Sequence, residues 1–184
     1  WVQHMLASSK DKTGKIGVIL DGGSLFRGGK ERGIREKVLQ DDLIECIILL
    51  PEKLFYNTGA PGIIIILNKN KSQERKGKVL FINTSENFKK HPEVRKLNIL
   101  DDENIEKIVD SYDTYKEKVN FSKIKTNEEL IKEHDSNLNV TLHCSIEEPE
   151  EEIDIEKEWN NLKKLEVEEK EVTDKLHAFL KEIK

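Results

Sequence analysis

Gly29-Lys30, within the stretch DGGSLFRGGKERGIREKVL from Asp21 to Leu39, is the first place where this sequence offers chemistry. A phosphate cradle of the P-loop kind needs G-x-x-x-x-G-K-[ST]. Its backbone N–H groups wrap the phosphates, its lysine reaches the terminal ones and its hydroxyl holds magnesium. In this chain Ser24 stands where the first glycine belongs, and Glu31 stands where the hydroxyl belongs and would repel a phosphate. The doublets Gly22-Gly23 and Gly28-Gly29 also miss the G-x-G-x-x-G spacing of dinucleotide sites. A P-loop protein is excluded, and the glycines read as a tight turn between strand and helix. Arg27, Lys30, Arg32 and Arg35 surround that turn. They are candidates for DNA phosphates or a cofactor carboxylate, against the plainer reading of solvated charges.

A second basic segment, NKNKSQERKGK, carries Lys69, Lys71, Arg75, Lys76 and Lys78 with few acids among them. Phosphate contact there would appear as salt-sensitive binding. The loop KLFYNTGAPG places Phe55 and Tyr56 between two apolar runs, followed by Asn57 and Thr58, which either hydrogen-bond a ligand or simply form the Asn-Thr-Gly turn. His134, His143 and Cys144 fit no zinc spacing and lack a fourth ligand, so no metal site is expected.

The elements that must position these residues follow from composition and periodicity. With 184 residues, 36% hydrophobic and 36% charged, the chain is sized for one domain with a modest core and a solvated appendage. Its formal net charge of −5 does not advertise nucleic-acid binding over the whole surface. Two isolated cysteines, Cys46 and Cys144, suit a reducing cytoplasm. No apolar run approaches the ~20 residues of a membrane span. The opening WVQHMLASSK lacks an initiator methionine and already carries Trp1, Val2, Met5 and Leu6 at helical spacing. It reads as the tail of a helix, and the chain as a fragment.

Lys15 to Leu20, Leu43 to Leu50, residues 63–67 and residues 79–83 read as buried strands, with helices over Gly33–Asp42 and Asp101–Tyr115. Such strands belong inside an α/β sheet, and LIECIILL with IIIILNK is expected to form an antiparallel pair at its edge. Residues 121–145 read as irregular apart from a short helix at Asn127–His134. Residues 1–145 are taken as the domain, and 146–184 as an acidic linker plus a long amphipathic helix of roughly 48 Å from about Ile153. Trp159, Leu162, Leu176 and Phe179 lie on its apolar stripe, which must be covered by a partner helix or by the chain's own domain.

WVQHMLASSK with GKIGVIL, then GSLFRGGKERGIREKVLQDDLIECIILLPEKLFYNTGAPGIIIILNKNK, then KGKVLFIN, together resemble the modification (methyltransferase) subunit of type I restriction–modification systems. The likeness runs from Trp1 to about Leu142, and LFRGG with LP-x-x-LFYNTG-x-P is specific in combination. It is looser in HDSNLNV, where His134 and Ser136 replace the family's asparagine and tyrosine.

The resemblance implies an N6-adenine-specific DNA methyltransferase that uses S-adenosylmethionine. The fold would be the second half of a Rossmann-like mixed sheet with an antiparallel edge, plus a long C-terminal helix. It implies that an aromatic of the loop, Phe55 by position, lines the target-base pocket with Tyr56, Asn57 and Thr58; the alternative is that Phe55 packs beneath the loop. DNA-phosphate candidates are Arg27, Lys30, Arg32, Lys69, Lys71, Arg75 and Lys76. The family's Asn/Asp-Pro-Pro-Phe/Tyr loop and glycine-rich cofactor turn have no counterpart, since Pro51, Pro61, Pro92 and Pro149 are all isolated. The chain alone is therefore expected to have no catalytic residues, no bound cofactor and no activity. DNA, the specificity subunit and the restriction subunit are the implied partners, in the cytoplasm and away from membranes. The competing expectation is a non-catalytic interaction or DNA-contact module derived from such a subunit.

Overall fold

The computed structural model describes residues 1–146 and 155–182. The chain divides into two units, Trp1–Ile146 and Glu147–Lys184. In the first, the elements run α1 (Val2–Ser8), β1 (Lys15–Asp21), a 3-10 turn (Gly22–Leu25), α2 (Lys30–Gln40), β2 (Ile44–Leu49), β3 (Gly62–Asn68) and β4 (Lys78–Asn83). They continue with the short strands β5 (Lys89–Lys90) and β6 (Asn98–Ile99), then α3 (Asp102–Thr114), β7 (Ser122–Thr126), α4 (Asn127–Lys132) and α5 (Val140–His143).

Five strands form one sheet in the order β1-β3-β2-β4-β7. β2 and β4 run parallel, and the other pairings are antiparallel. The unbroken apolar runs take the centre: every residue of β2 is buried, and in β4 only Lys78 is exposed. Strands of that composition need cover on both faces. On one face Leu39 of α2, Leu130 of α4 and Val140 of α5 pack with Ile47, Ile63 and Phe81. On the other, Ile108 and Tyr112 of α3 pack with Cys46, Ile48, Leu80 and Ile82.

The antiparallel pairing of 43–50 with 63–67 is present, but not at the edge. β3 is enclosed between β2 and β1, and β1 forms that edge. The expectation that Lys15–Leu20 is buried is corrected accordingly, because its alternate residues Lys15, Gly17 and Ile19 face water. At the opposite edge, SKIKT forms β7 inside the stretch expected to be irregular. Its lysines hide the strand from an apolar count, whereas an edge strand tolerates them. Thr126 then caps α4 by accepting from the Glu129 N–H at 3.1 Å, the T-x-x-E arrangement of a capping box.

β2 carries one irregularity. Its register against β3 shifts between Ile44 and Cys46, so Glu45 is an extra residue. A bulge re-aims the side chain it carries. Ile44 and Ile47 consequently share one core while Cys46 and Ile48 share the other. Glu45, 2% exposed, meets the Tyr112 hydroxyl, Asn68 Nδ2 (3.1 Å), Arg75 Nη1 (3.3 Å) and Lys15 Nζ (3.6 Å). Burial pushes its carboxyl up, but hydrogen bonds from Tyr112 and Asn68 and the charges of Lys15 and Arg75 prevail and hold it below its ordinary value.

In the second unit, α6 spans Ile155–Glu182, about 42 Å at 1.5 Å per residue. Trp159, Leu162 and Leu176 of the expected stripe are exposed on it, as is Leu165. The acidic stretch at 147–154 and the side chain of Phe179 lie outside the described residues.

A carboxyl whose folded pKa lies below its unfolded value stabilises the fold above the unfolded pKa and loses that contribution as pH falls through the folded one. The stability difference between the native protein and Glu45→Gln should thus be largest near neutrality and shrink below about pH 4. Thermal unfolding of both proteins from pH 3 to 7 checks this, and a difference independent of pH would contradict it.

Candidate nucleic-acid interface

The loop after β2 is shaped by its own backbone. Leu50 N donates to Gly62 O at 3.0 Å and Lys53 N to Gly59 O at 3.3 Å, closing the base of the loop. Lys53 takes a left-handed conformation, φ 58°. The Thr58 hydroxyl accepts from Ala60 N at 3.1 Å, so part of its capacity forms the turn. Phe55 is half-buried against the second core, its ring lying over Gly62 so closely that a Cβ there would stand 2.6 Å from the ring. Tyr56 projects outward, 79% exposed, with Asn57 and Thr58 exposed beside it.

This loop stands at the carboxyl ends of the parallel strands β2 and β4, where open α/β sheets bind ligands. Asp21 pairs with Gly62, so the glycine-rich turn after β1 lies at the same end. That turn is occupied by its own contacts. Arg27 pairs with Asp21 and the Ser24 hydroxyl donates to Asp21 O at 2.7 Å. Gly29 caps α2 with φ 63°, a conformation that favours glycine, and Glu31 places negative charge in the first helical turn. Arg35 is buried, donating to Ser136 O at 3.0 Å and Ser24 O at 3.2 Å. It ties the turn to the 134–136 segment and is not available to phosphate. Arg32 pairs with Asp135, while Lys30 is exposed with no carboxylate in ion-pair range among the described residues.

The second basic segment does not join them. It connects the far end of β3 to the start of β4, about 20 Å from the aromatic loop at 3.3 Å per strand residue. Its cations mostly turn inward. Lys71 is buried and donates to Asp42 Oδ1 at 2.6 Å and Lys78 O at 2.8 Å. The expectation that Lys71 reaches phosphate is corrected for that reason. Arg75 reaches Glu45 and the Asp113 carbonyl (2.8 Å) and lies over the Tyr112 and Tyr115 rings. Lys69 donates to Ser9 O at 3.0 Å and approaches Asp11 at 3.3 Å. Lys76 remains exposed.

Cations of another segment stand at the aromatic loop instead. Tyr56, Asn57, Thr58 and Gly59 share an open cleft with Lys53, Lys90, Arg95 and Lys96. No expectation attached to FKKHPEVRKL, although its density of cations just after a buried strand was the available signal. Elsewhere His143 is buried, its Nε2 2.7 Å from Asn137 O and its ring against Phe81 and His134. Burial lowers its pKa and raises that of Cys144. Both belong to the core.

The family model of the N-6 DNA methylases matches residues 1–152. Two type I restriction enzyme methylase subunits of Methanocaldococcus jannaschii, MjaVII and MjaVIII, are each 53% identical, over 100% and 92% of this chain. The chain spans only 31% and 29% of their lengths. Among solved structures, the methyltransferase subunit of a type I restriction–modification system from Streptococcus thermophilus superposes with a TM-score of 0.71 at 34% identity. That match covers 78% of this chain and 29% of the other.

Gly62→Ala should destabilise the protein by about 1–3 kcal/mol, because the β3 backbone is fixed and the Phe55 ring must move. In a Phe55→Ala background the same change should cost close to nothing. Denaturant unfolding of the four proteins gives the comparison, and an equal cost in both backgrounds would show that Phe55 does not rest on Gly62.

Proposed function

The chain belongs to the N-6 DNA methylase family, and from that premise we propose that it is the later part of a type I modification subunit, which methylates adenine N6 in DNA with S-adenosylmethionine as donor. The observation that carries the reading is Phe55 and Tyr56 at the carboxyl ends of β2 and β4, one braced on Gly62 and one open to water.

The chemistry explains why such a loop is useful. An adenine inside a duplex has its N6 amino group paired and its ring stacked, so no enclosing pocket can surround N6, and the base must leave the stack and be held elsewhere. A flat side chain replaces the stacking the base gives up, worth roughly 1–3 kcal/mol per base. Phe55 is suited to that role because its ring is fixed on one side and its loop is at the sheet's open end; Tyr56, Asn57 and Thr58 of the same loop line an open cleft. The N6 lone pair is delocalised into the ring, so the amino hydrogens need acceptors as the methyl group arrives. This chain has no Pro-Pro pair, and in this reading the Asn/Asp-Pro-Pro-Phe/Tyr acceptors and the cofactor turn come from residues outside it. Lys30 and Lys76 are the expected phosphate contacts that remain exposed, with Arg27, Arg32 and Lys69 able to exchange their ion pairs for phosphate.

The exposed stripe of α6, Trp159, Leu162, Leu165 and Leu176, favours a docking role for the second unit. The DNA-specificity subunit is the proposed partner, and assembly with a restriction subunit and a cytoplasmic setting follow from the same reading. No described helix is long and apolar enough to cross a membrane.

Two measurements test this. Titration calorimetry with S-adenosylmethionine should give binding to the complete encoded subunit and none to residues 1–184 alone. Phe55→Ala in the complete subunit should lower methylation of cognate DNA by about 5- to 150-fold, the equivalent of one lost stacking contact. Unchanged methylation and DNA binding would remove Phe55 from the pocket.

A further inference from the structure

We propose that Lys53, Lys90, Arg95 and Lys96 form a phosphate-binding cleft that grips the DNA backbone on either side of the extruded target nucleotide. The proposal rests on the reading of the neighbouring loop as the target-base pocket and adds the contact that holds the base's own strand.

The cleft is open, about 560 Å³, within the ~300–1,000 Å³ typical of ligand sites. Lysine and arginine supply four of its lining residues and no carboxylate contributes. Among the described residues, no acidic group lies within ion-pair distance of any of the four, whereas Lys89 beside them is paired with Asp101. In a chain with a formal net charge of −5, unneutralised cations collected around one cleft are out of proportion to the whole. The field of such a cleft suits a polyanion.

The cations are also held in place. Asn98 of β6, 4% exposed, donates its backbone N–H to Lys53 O at 2.9 Å and its Nδ2 to Glu52 O at 2.8 Å. Its Oδ1 accepts from Lys90 Nζ at 2.9 Å, and Lys90 lies 5.1 Å over the Phe88 ring. One asparagine thus fastens the β5–β6 ladder to the aromatic loop and aims a lysine. The turn between the two strands is closed by His91, whose Nδ1 accepts from the Glu93 and Val94 amides at 3.1 Å each. Further closure comes from His91 N to Leu97 O at 3.0 Å. Arg95 and Lys96 therefore sit on a braced turn.

Geometry selects the backbone of the target strand. Tyr56 to Gly59 line the same cleft as the four cations, so a base placed against this loop brings its flanking phosphates to them. An extruded nucleotide turns about its own backbone, so its flanking phosphates stay beside the pocket that receives the base. Phosphate contacts of this kind fix register without reading sequence. That suits a catalytic subunit working at whatever site it is brought to.

The test uses the complete subunit assembled with its specificity partner, on cognate duplex DNA, with affinity measured by anisotropy over a range of KCl concentrations. Lys53→Ala/Lys96→Ala should weaken binding and make the slope of log K against log salt shallower by about 0.9 for each cation removed. Lys53→Arg/Lys96→Arg should keep the slope. Neutral methylphosphonates at the two phosphates flanking the target adenine should weaken binding by the native protein and have much less effect on the alanine variant. Losses from protein and DNA changes that simply add would overturn the proposal, as would an unchanged salt slope. If the native complex methylates its DNA while the variants behave as native, the cleft is wrong and the pocket reading stands. If the native complex methylates nothing, the reading beneath it fails first.

Discussion

A buried carboxylate in the middle strand sets the constraint that the rest of this fold obeys. Glu45 occupies a bulge in β2 and is almost wholly removed from water. An isolated carboxylate in that position would cost several kcal/mol, and its pairing repays this only when geometry and hydrogen bonds are nearly complete. Completeness is supplied from four directions: β1 through Lys15, β3 through Asn68, the basic segment through Arg75, and α3 through Tyr112. Lys15 and Arg75 also lie over the Tyr112 ring, at 4.8 Å and 5.1 Å, which adds cation–π attraction to the same cluster. The sheet's edge, its central hairpin and the helix on one face are thereby fixed to one point.

That cluster explains a division of labour among the cations. At the Glu45 end of the sheet, Arg75 and Lys71 are consumed by internal carboxylates, Asp42 doing for Lys71 what Glu45 does for Arg75. Asp42 also accepts from Gly77 N at 2.9 Å and Asn127 Nδ2 at 2.8 Å, joining the basic segment to α4. At the other end, beyond Leu49 and Asn83, Lys53, Lys90, Arg95 and Lys96 have no carboxylate partner among the described residues and stand around an exposed aromatic loop. One end of the sheet is built for cohesion, the other is left chemically open. A ligand at the carboxyl ends of β2 and β4 meets the open one.

Much of this was legible in the residues. LIECIILL and VLFIN are apolar without alternation because both faces of their strands are covered, and they run side by side at the centre. Residues LFYNTGAPG signalled an aromatic loop between two strands; of its two rings, Phe55, favoured by position, is half-buried over Gly62, and Tyr56 is the exposed one. What stayed hidden depended on partners distant in sequence. Strand order could not be read, because the edge position of β1 follows from what β3 pairs with on its other side. β7 was masked by its lysines. Lys71 and Arg75 read as cations free to reach phosphate until Asp42 and Glu45, some thirty positions earlier, are found beside them. The basic cleft escaped for the converse reason: Lys53 and Lys96 become neighbours only through Asn98.

The central claim is that the 53–59 loop faces an adenine taken out of the duplex. Photocrosslinking addresses it most directly: cognate DNA with 5-iodouracil in place of the target adenine, irradiated in complex with the complete subunit and its specificity partner. Mass spectrometry then locates the adduct. The account predicts attachment to Phe55 or Tyr56, lost when the substitution is moved several base pairs away. Adducts confined to the glycine-rich turn or to the basic segment at the far end of the sheet would contradict it.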